Sequence, residues 1–140
     1  MSFLPEDDVD FLARKGLVYE LKTEKLPNGT ERNGIVFPGY GLEGNLRTLR
    51  DKQLQPCSAC DLLILIPPQY ATARLDNFYT IPFLKRPDGT DPQNATGEND
   101  LFQRKWQFWS RHLIGEGHWR VGIDGLEIFL QYVNLDLRQT

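Results

Sequence analysis

Apolar and polar positions recur along this chain at two different periods. Near its C-terminal end Leu126, Phe129, Leu130, Val133 and Leu137 fall at helical spacing, which turns one stripe of a helix toward a core. Asp124 stands where an N-cap would accept from the first backbone N–H groups, and Glu127 three positions on completes a capping box. Just before this, residues 106–112 (WQFWSRH) nearly alternate. As a strand they place Trp106, Phe108, Ser110 and His112 on one face and Gln107, Trp109 and Arg111 on the other. So short an aromatic run also fits a helix.

The remaining elements follow from the same two periods and from turn residues. Pro5 suits a first helical position, Glu6, Asp7 and Asp8 complement the positive end of a helix dipole, and Arg14 and Lys15 precede Gly16 as a stop. Residues 5–15 are therefore expected to be a short helix. Residues 18–26 (VYELKTEKL) alternate, and Pro27-Asn28-Gly29-Thr30 folds them back on Ile35-Val36-Phe37 as a hairpin. The glycines and proline of residues 37–45 predict a bend, and residues 45–55 are polar without a clear period. Residues 61–67 (DLLILIP) form a continuous apolar run, as in a central strand. A second, aromatic extended piece spans residues 78–83, and residues 85–100 read as one long loop, a length usually associated with function or mobility.

The predicted order is helix, antiparallel meander of about four strands, long loop, aromatic segment and helix, an α+β layout with helices beside a sheet. Residues 1–140 hold no internal repeat and read as a single domain.

Composition narrows the partners. Hydrophobic residues at 40% and charged residues at 25% are those of an ordinary soluble domain. A net charge of -3 and a pI near 5.4 argue against nucleic acid, which needs clustered lysine and arginine. No apolar run approaches the roughly 20 residues of a membrane span, and MSFLPEDDVD lacks the basic-then-apolar order of a signal peptide. The expected location is cytoplasmic, where Cys57 and Cys60 stay reduced.

Two motifs give this layout a family likeness. Leu65-Ile66-Pro67-x-x-Tyr70 resembles the end of the third strand and the P-x-x-Y-P turn of the ubiquitin-conjugating (E2) superfamily, with Ala71 replacing the last proline. Trp119-x-x-Gly122, leading into the helix after Asp124, is similar to the E2 Trp-Ser-Pro turn and its helix. A closer likeness is to the prokaryotic E2-like group called family E, through Trp106, Gln107, Ser110, Arg111 and His112, then Trp119, Arg120, Gly122, Asp124, Gly125 and Leu126. The resemblance implies an E2/UBC-like fold and a bacterial pathway of ubiquitin-like conjugation. Its implied partners are a ubiquitin-like protein, an adenylating E1-like enzyme and, in the same pathway, a JAB-type peptidase. No cofactor is implied.

The departures from that pattern define the candidate chemistry. Ordinary E2 enzymes carry a catalytic cysteine shortly before the tryptophan matching Trp119, where this chain has Arg111 and His112, and no His-Pro-Asn triplet lies upstream. Ser110 and His112 at i and i+2 share one side of a strand, so an imidazole can accept the proton of a serine that replaces the cysteine. Equally, His112 is a buried hydrogen-bonding residue and Ser110 caps a turn. Arg111 and Arg120 suit the carboxyl terminus of a modifier tail, or pair with Glu116 and Asp124. Trp109 and Trp119 suit either a docking surface or an aromatic core.

Cys57 and Cys60 form C-x-x-C and are the alternative nucleophiles, although they precede the central strand rather than the final helix. With His112 and His118 they supply zinc-ligand types, but the strands predicted between them argue against convergence, and no metal is expected. Asp76, Asn77 and the loop from Arg86 to Asp100 are further candidates to line the site. Two functions follow: an E2-like carrier of a ubiquitin-like modifier without the usual cysteine, or a catalytically inactive E2-like adaptor that binds the modifier or the E1-like enzyme.

Overall fold

The computed structural model describes residues 4–68, 75, 77–110 and 125–138. Within them are two helices and nine strands: α1 (Glu6–Lys15), β1 (Glu20–Lys25), β2 (Glu31–Gly41), β3 (Arg47–Arg50), β4 (Gln53–Pro56), β5 (Ala59–Ile66), β6 (Phe78–Ile81), β7 (Leu84–Lys85), β8 (Ala95–Leu101), β9 (Arg104–Trp109) and α2 (Leu126–Leu137). The main sheet has six strands in the order β1-β2-β5-β6-β9-β8, and β4-β3-β7 form a smaller sheet. All recorded pairings are antiparallel. The α+β class expected from the sequence therefore holds, but the sheet is larger than a four-stranded meander.

The central strand is the one predicted. In β5, Leu62, Ile64 and Ile66 join the buried cluster beneath the helices, while Leu63 belongs to a second cluster on the opposite face. A strand covered on both faces needs apolar residues at successive positions, which is why its sequence runs without alternation. The expected stripe of α2 is also present: Leu126, Phe129, Leu130, Val133 and Leu137 are all buried against the sheet side that also takes Phe11 and Leu12 of α1.

Each helix starts one residue from its predicted position. Pro5 is the N-cap of α1, and Gly16 closes the helix in the left-handed region at φ 65°, its N–H donating to the Ala13 carbonyl. Helix α2 has Gly125 at its N-cap, and the expected capping residue Asp124 lies outside the described residues. Among the described residues, Asp8 of α1 accepts from the Leu126 N–H at 3.1 Å, and Glu127 pairs at 3.6 Å with Arg14 on the surface. A carboxylate at a helix N-terminus is favourable whether it comes from the same segment or from a packed neighbour.

Three stretches differ from their sequence-based reading. Residues 45–55 contain the β3–β4 hairpin, turned at Asp51 and Lys52 with φ 52° and 65°. Residues 37–45 begin with strand rather than bend, because β2 runs on to Gly41 through an irregularity between Phe37 and Tyr40, where the Gly39 N–H donates to Asp61. The long loop is mostly ordered structure. Its Arg86-Pro87-Asp88-Gly89-Thr90 repeats the hydrogen bonds of Leu26-Pro27-Asn28-Gly29-Thr30, with the first N–H donating to the fifth carbonyl and the Asn or Asp side chain accepting from the Thr N–H and hydroxyl. Beyond it β8 pairs with β9 through a turn at Phe102 and Gln103, again at positive φ without glycine.

The β8–β9 turn reaches back across the sheet. Glu24 on β1 accepts from the Phe102 N–H at 2.7 Å and from Arg32 at 2.8 Å. The Phe102 ring lies over Gly34, where an added Cβ would stand 3.0 Å from Phe102 and 2.9 Å from Leu63. Arg104 pairs with Asp61 at 2.9 Å and lies over the Trp106 ring. The sheet is thus curled enough for its last hairpin to touch its first strand.

Candidate functional site

The fold carries Ser110 to the end of β9, next to two asparagines. Phe78 pairs with Trp109 and Ala95 with Trp109, so the next position along each ladder brings Asn77 and Asn94 to either side of Ser110. On the Asn94 side this is a hydrogen bond, the Ser110 N–H donating to the Asn94 carbonyl at 2.6 Å. Asn94 itself sits at φ 74°, a conformation asparagine tolerates better than most residues. This is the part of the expected loop that does come to the site.

The alternation predicted for residues 106–112 holds where it is described. Trp106 and Phe108 belong to the cluster on the face away from the helices, and Trp109 to the core beneath them. Trp109 is 0% exposed, stacks on Phe78 at 5.2 Å, and donates its indole N–H to Thr80 at 2.9 Å. Of the two roles weighed for it, this placement is the core one. Arg111, His112, Trp119 and Arg120 lie outside the described residues, as does Asp76.

Beneath Ser110 a buried polar network holds the strand end in place. Gln107 is 4% exposed; its Oε1 accepts from the Leu84 N–H at 2.7 Å and from the Thr80 hydroxyl at 3.1 Å, and its Nε2 donates to the Leu84 carbonyl at 3.0 Å. The side-chain amide thereby pairs with β7 as a neighbouring strand would. Thr48 of β3 adds a bond to the Phe83 carbonyl at 2.9 Å. No sequence signal marked Gln107 as the link between the two sheets, since a glutamine on a strand is most often exposed.

Asn77 presents the opposite condition. Its Oδ1 is buried and has no hydrogen-bond partner, a state that costs about 1–3 kcal/mol. It lines a groove of about 480 Å³ whose other walls include Leu26, Arg32, Leu65, Pro67, Leu75 and Tyr79. Burial raises the Tyr79 phenol above its ordinary range, with nearby Arg32 acting the other way.

The two cysteines stand at the opposite end of the sheet. The β5–β6 register puts Leu65 at the level of Asn77, so Cys60 lies five positions away from Ser110's level, about 17 Å at ~3.3 Å per residue. Both are free thiols. Cys60 is 2% exposed, and burial pushes its thiol up to about 12. Cys57 is half-buried and also raised, chiefly by burial, with its Sγ donating to the Ala59 carbonyl at 3.1 Å. A nucleophilic cysteine needs the reverse shift, since the thiolate is the reactive form.

A family model described as prokaryotic E2 family E matches residues 4–140. The chain belongs to prokaryotic E2 family E. Neither curated proteins nor solved structures give a match. This family E protein has no described helix long and apolar enough to cross a membrane, and its described residues hold no cluster of three or more metal-ligating side chains.

Proposed function

We propose that this protein is an E2-like component of a bacterial ubiquitin-like conjugation pathway, which binds or carries a modifier received from an E1-like enzyme without using the ordinary cysteine. The observation that carries the reading is the family match over residues 4–140. Ser110 and His112 are the proposed reacting pair. The Ser110 hydroxyl attacks the carbonyl of the modifier's activated carboxyl terminus, His112 takes the hydroxyl proton, and the E1 thiolate leaves as an oxyester forms. Supporting this assignment are the fixed backbone of Ser110 at the end of β9 and the raised thiols of Cys57 and Cys60 at the far end of the sheet. Arg111, Arg120 and Trp119 are assigned to the tail and partner surface, with Trp109 supporting them from the core, and a JAB-type peptidase acts in the same pathway.

The test is to incubate the protein with ATP, the E1-like enzyme and the processed modifier, and to read adducts by intact mass with and without thiol. The expected adduct survives thiol, yields to hydroxylamine, and is lost in Ser110→Ala and His112→Ala. A thiol-sensitive adduct would move the chemistry to Cys57 or Cys60. Absence of any adduct beside a charged E1 would make the protein a catalytically inactive adaptor.

A further inference from the structure

The groove and the unsatisfied oxygen of Asn77 belong together. Along β6 and β9, Phe78 and Trp109 face the helices, whereas Tyr79 and Phe108 meet on the other face with ring centroids 5.4 Å apart. Continued alternation sends Asn77 and Ser110 to that second face, directly across from one another. Asn77 and Tyr79 both line the groove, so it begins one strand away from Ser110, across the β6–β9 ladder. Its walls at this end are Leu65, Pro67, Leu75 and Tyr79, and the guanidinium of Arg32 is held by Glu24 at 2.8 Å. Beside Asn77 the groove therefore offers apolar surface and one unused acceptor, while Arg32 is paired with Glu24 and the exposed carboxylate of Glu31 stands on the β2 wall.

We propose that Asn77 is a substrate-contacting residue of this site, its Oδ1 accepting a backbone N–H from the modifier's extended tail while an apolar side chain of that tail fills the groove. This rests on the carrier reading above and specifies which tails the site accepts. In the free protein Oδ1 has no bond to lose, and the terminal torsion of asparagine is soft, so the carboxamide turns toward the groove when a donor arrives. The apolar walls at Leu65, Pro67, Leu75 and Tyr79 favour leucine or phenylalanine over arginine in the tail segment beside Asn77, because a guanidinium there would lose water without a carboxylate on those walls.

The experiment titrates the full-length, 15N-labelled protein with two short peptides of free carboxyl terminus, identical except for Leu or Arg at one position. The Leu peptide should shift the Asn77 side-chain amide and the Leu65 and Tyr79 signals and bind about tenfold more tightly than the Arg peptide. Asn77→Leu should lose about tenfold for the Leu peptide, while Asn77→Asp, which keeps an acceptor, retains binding. Leu65→Glu provides a second variant should Asn77→Leu fail to fold, and it should abolish the preference for Leu. Shifts that map elsewhere, equal affinity for both peptides, or undiminished binding by Asn77→Leu or Leu65→Glu would overturn the proposal. Ser110→Ala should bind the Leu peptide as the wild type does. Peptide binding without an adduct would thus sink the carrier chemistry alone, and an adduct without groove binding would sink the role of Asn77 alone.

Discussion

Gln107 and Asn77 carry the same carboxamide group in neighbouring parts of the sheet, yet they do opposite things. Gln107 pairs with Thr80, three positions from Asn77 along the chain and about 10 Å at ~3.3 Å per residue. One amide has its oxygen and its nitrogen bonded inside the protein and ties the two sheets together. The other keeps a buried oxygen without a partner at the edge of a groove. A satisfied buried polar group specifies structure, whereas an unsatisfied one points to a ligand or a cost retained for function.

Substitution should separate the two sharply. Gln107→Leu leaves the Leu84 N–H and carbonyl unpaired, so urea unfolding should show a loss of about 2–5 kcal/mol. A loss below about 1 kcal/mol would mean that the amide does not link the sheets. A smaller, pH-dependent effect is expected at the far end of the sheet. The Cys60 thiol is raised from 9.0 to about 12, so its contribution is fully present below pH 9 and is lost as pH rises toward 12. Tyr40 and Tyr79, also raised, act in the same direction from 10.0 upward. Cys60→Ala should therefore flatten the fall of stability between pH 9 and 12, which thermal melts across that range would read; an unchanged slope would place Cys60 in a more solvated setting. The smallest effect belongs to Asn77→Leu, a gain of about 1 kcal/mol, because the buried oxygen removed had no bond. A large destabilisation would show that Asn77 is a scaffold residue like Gln107.

The sequence displayed those parts of the fold whose burial differs between faces. The α2 stripe, the β1–β2 hairpin and the apolar run of β5 each carry a pattern that water enforces. Strand β8 carries none, since Gly97, Glu98, Asn99 and Asp100 are exposed on an edge strand and composition alone makes them look like loop. The turns at Asp51-Lys52 and Phe102-Gln103 were hidden for a different reason: both adopt positive φ without the glycine that ordinarily announces it. Ser110 was legible through alternation. Asn77 gained its meaning only when β6 was placed beside β9, and Gln107 only when β7 returned to it.

The bond between Glu24 and Phe102 has a consequence for how the protein is made. Its partners stand 78 positions apart, so on a ribosome working at about 5–20 residues per second the first strand waits roughly 4–16 s for the turn that covers it. During that interval Val36 and Gly34 on β2 present their outer face uncovered by Phe102. The charged side chains of β1, Glu20, Lys22, Glu24 and Lys25, then guard an unfinished sheet against pairing with the wrong chain before they frame a finished one.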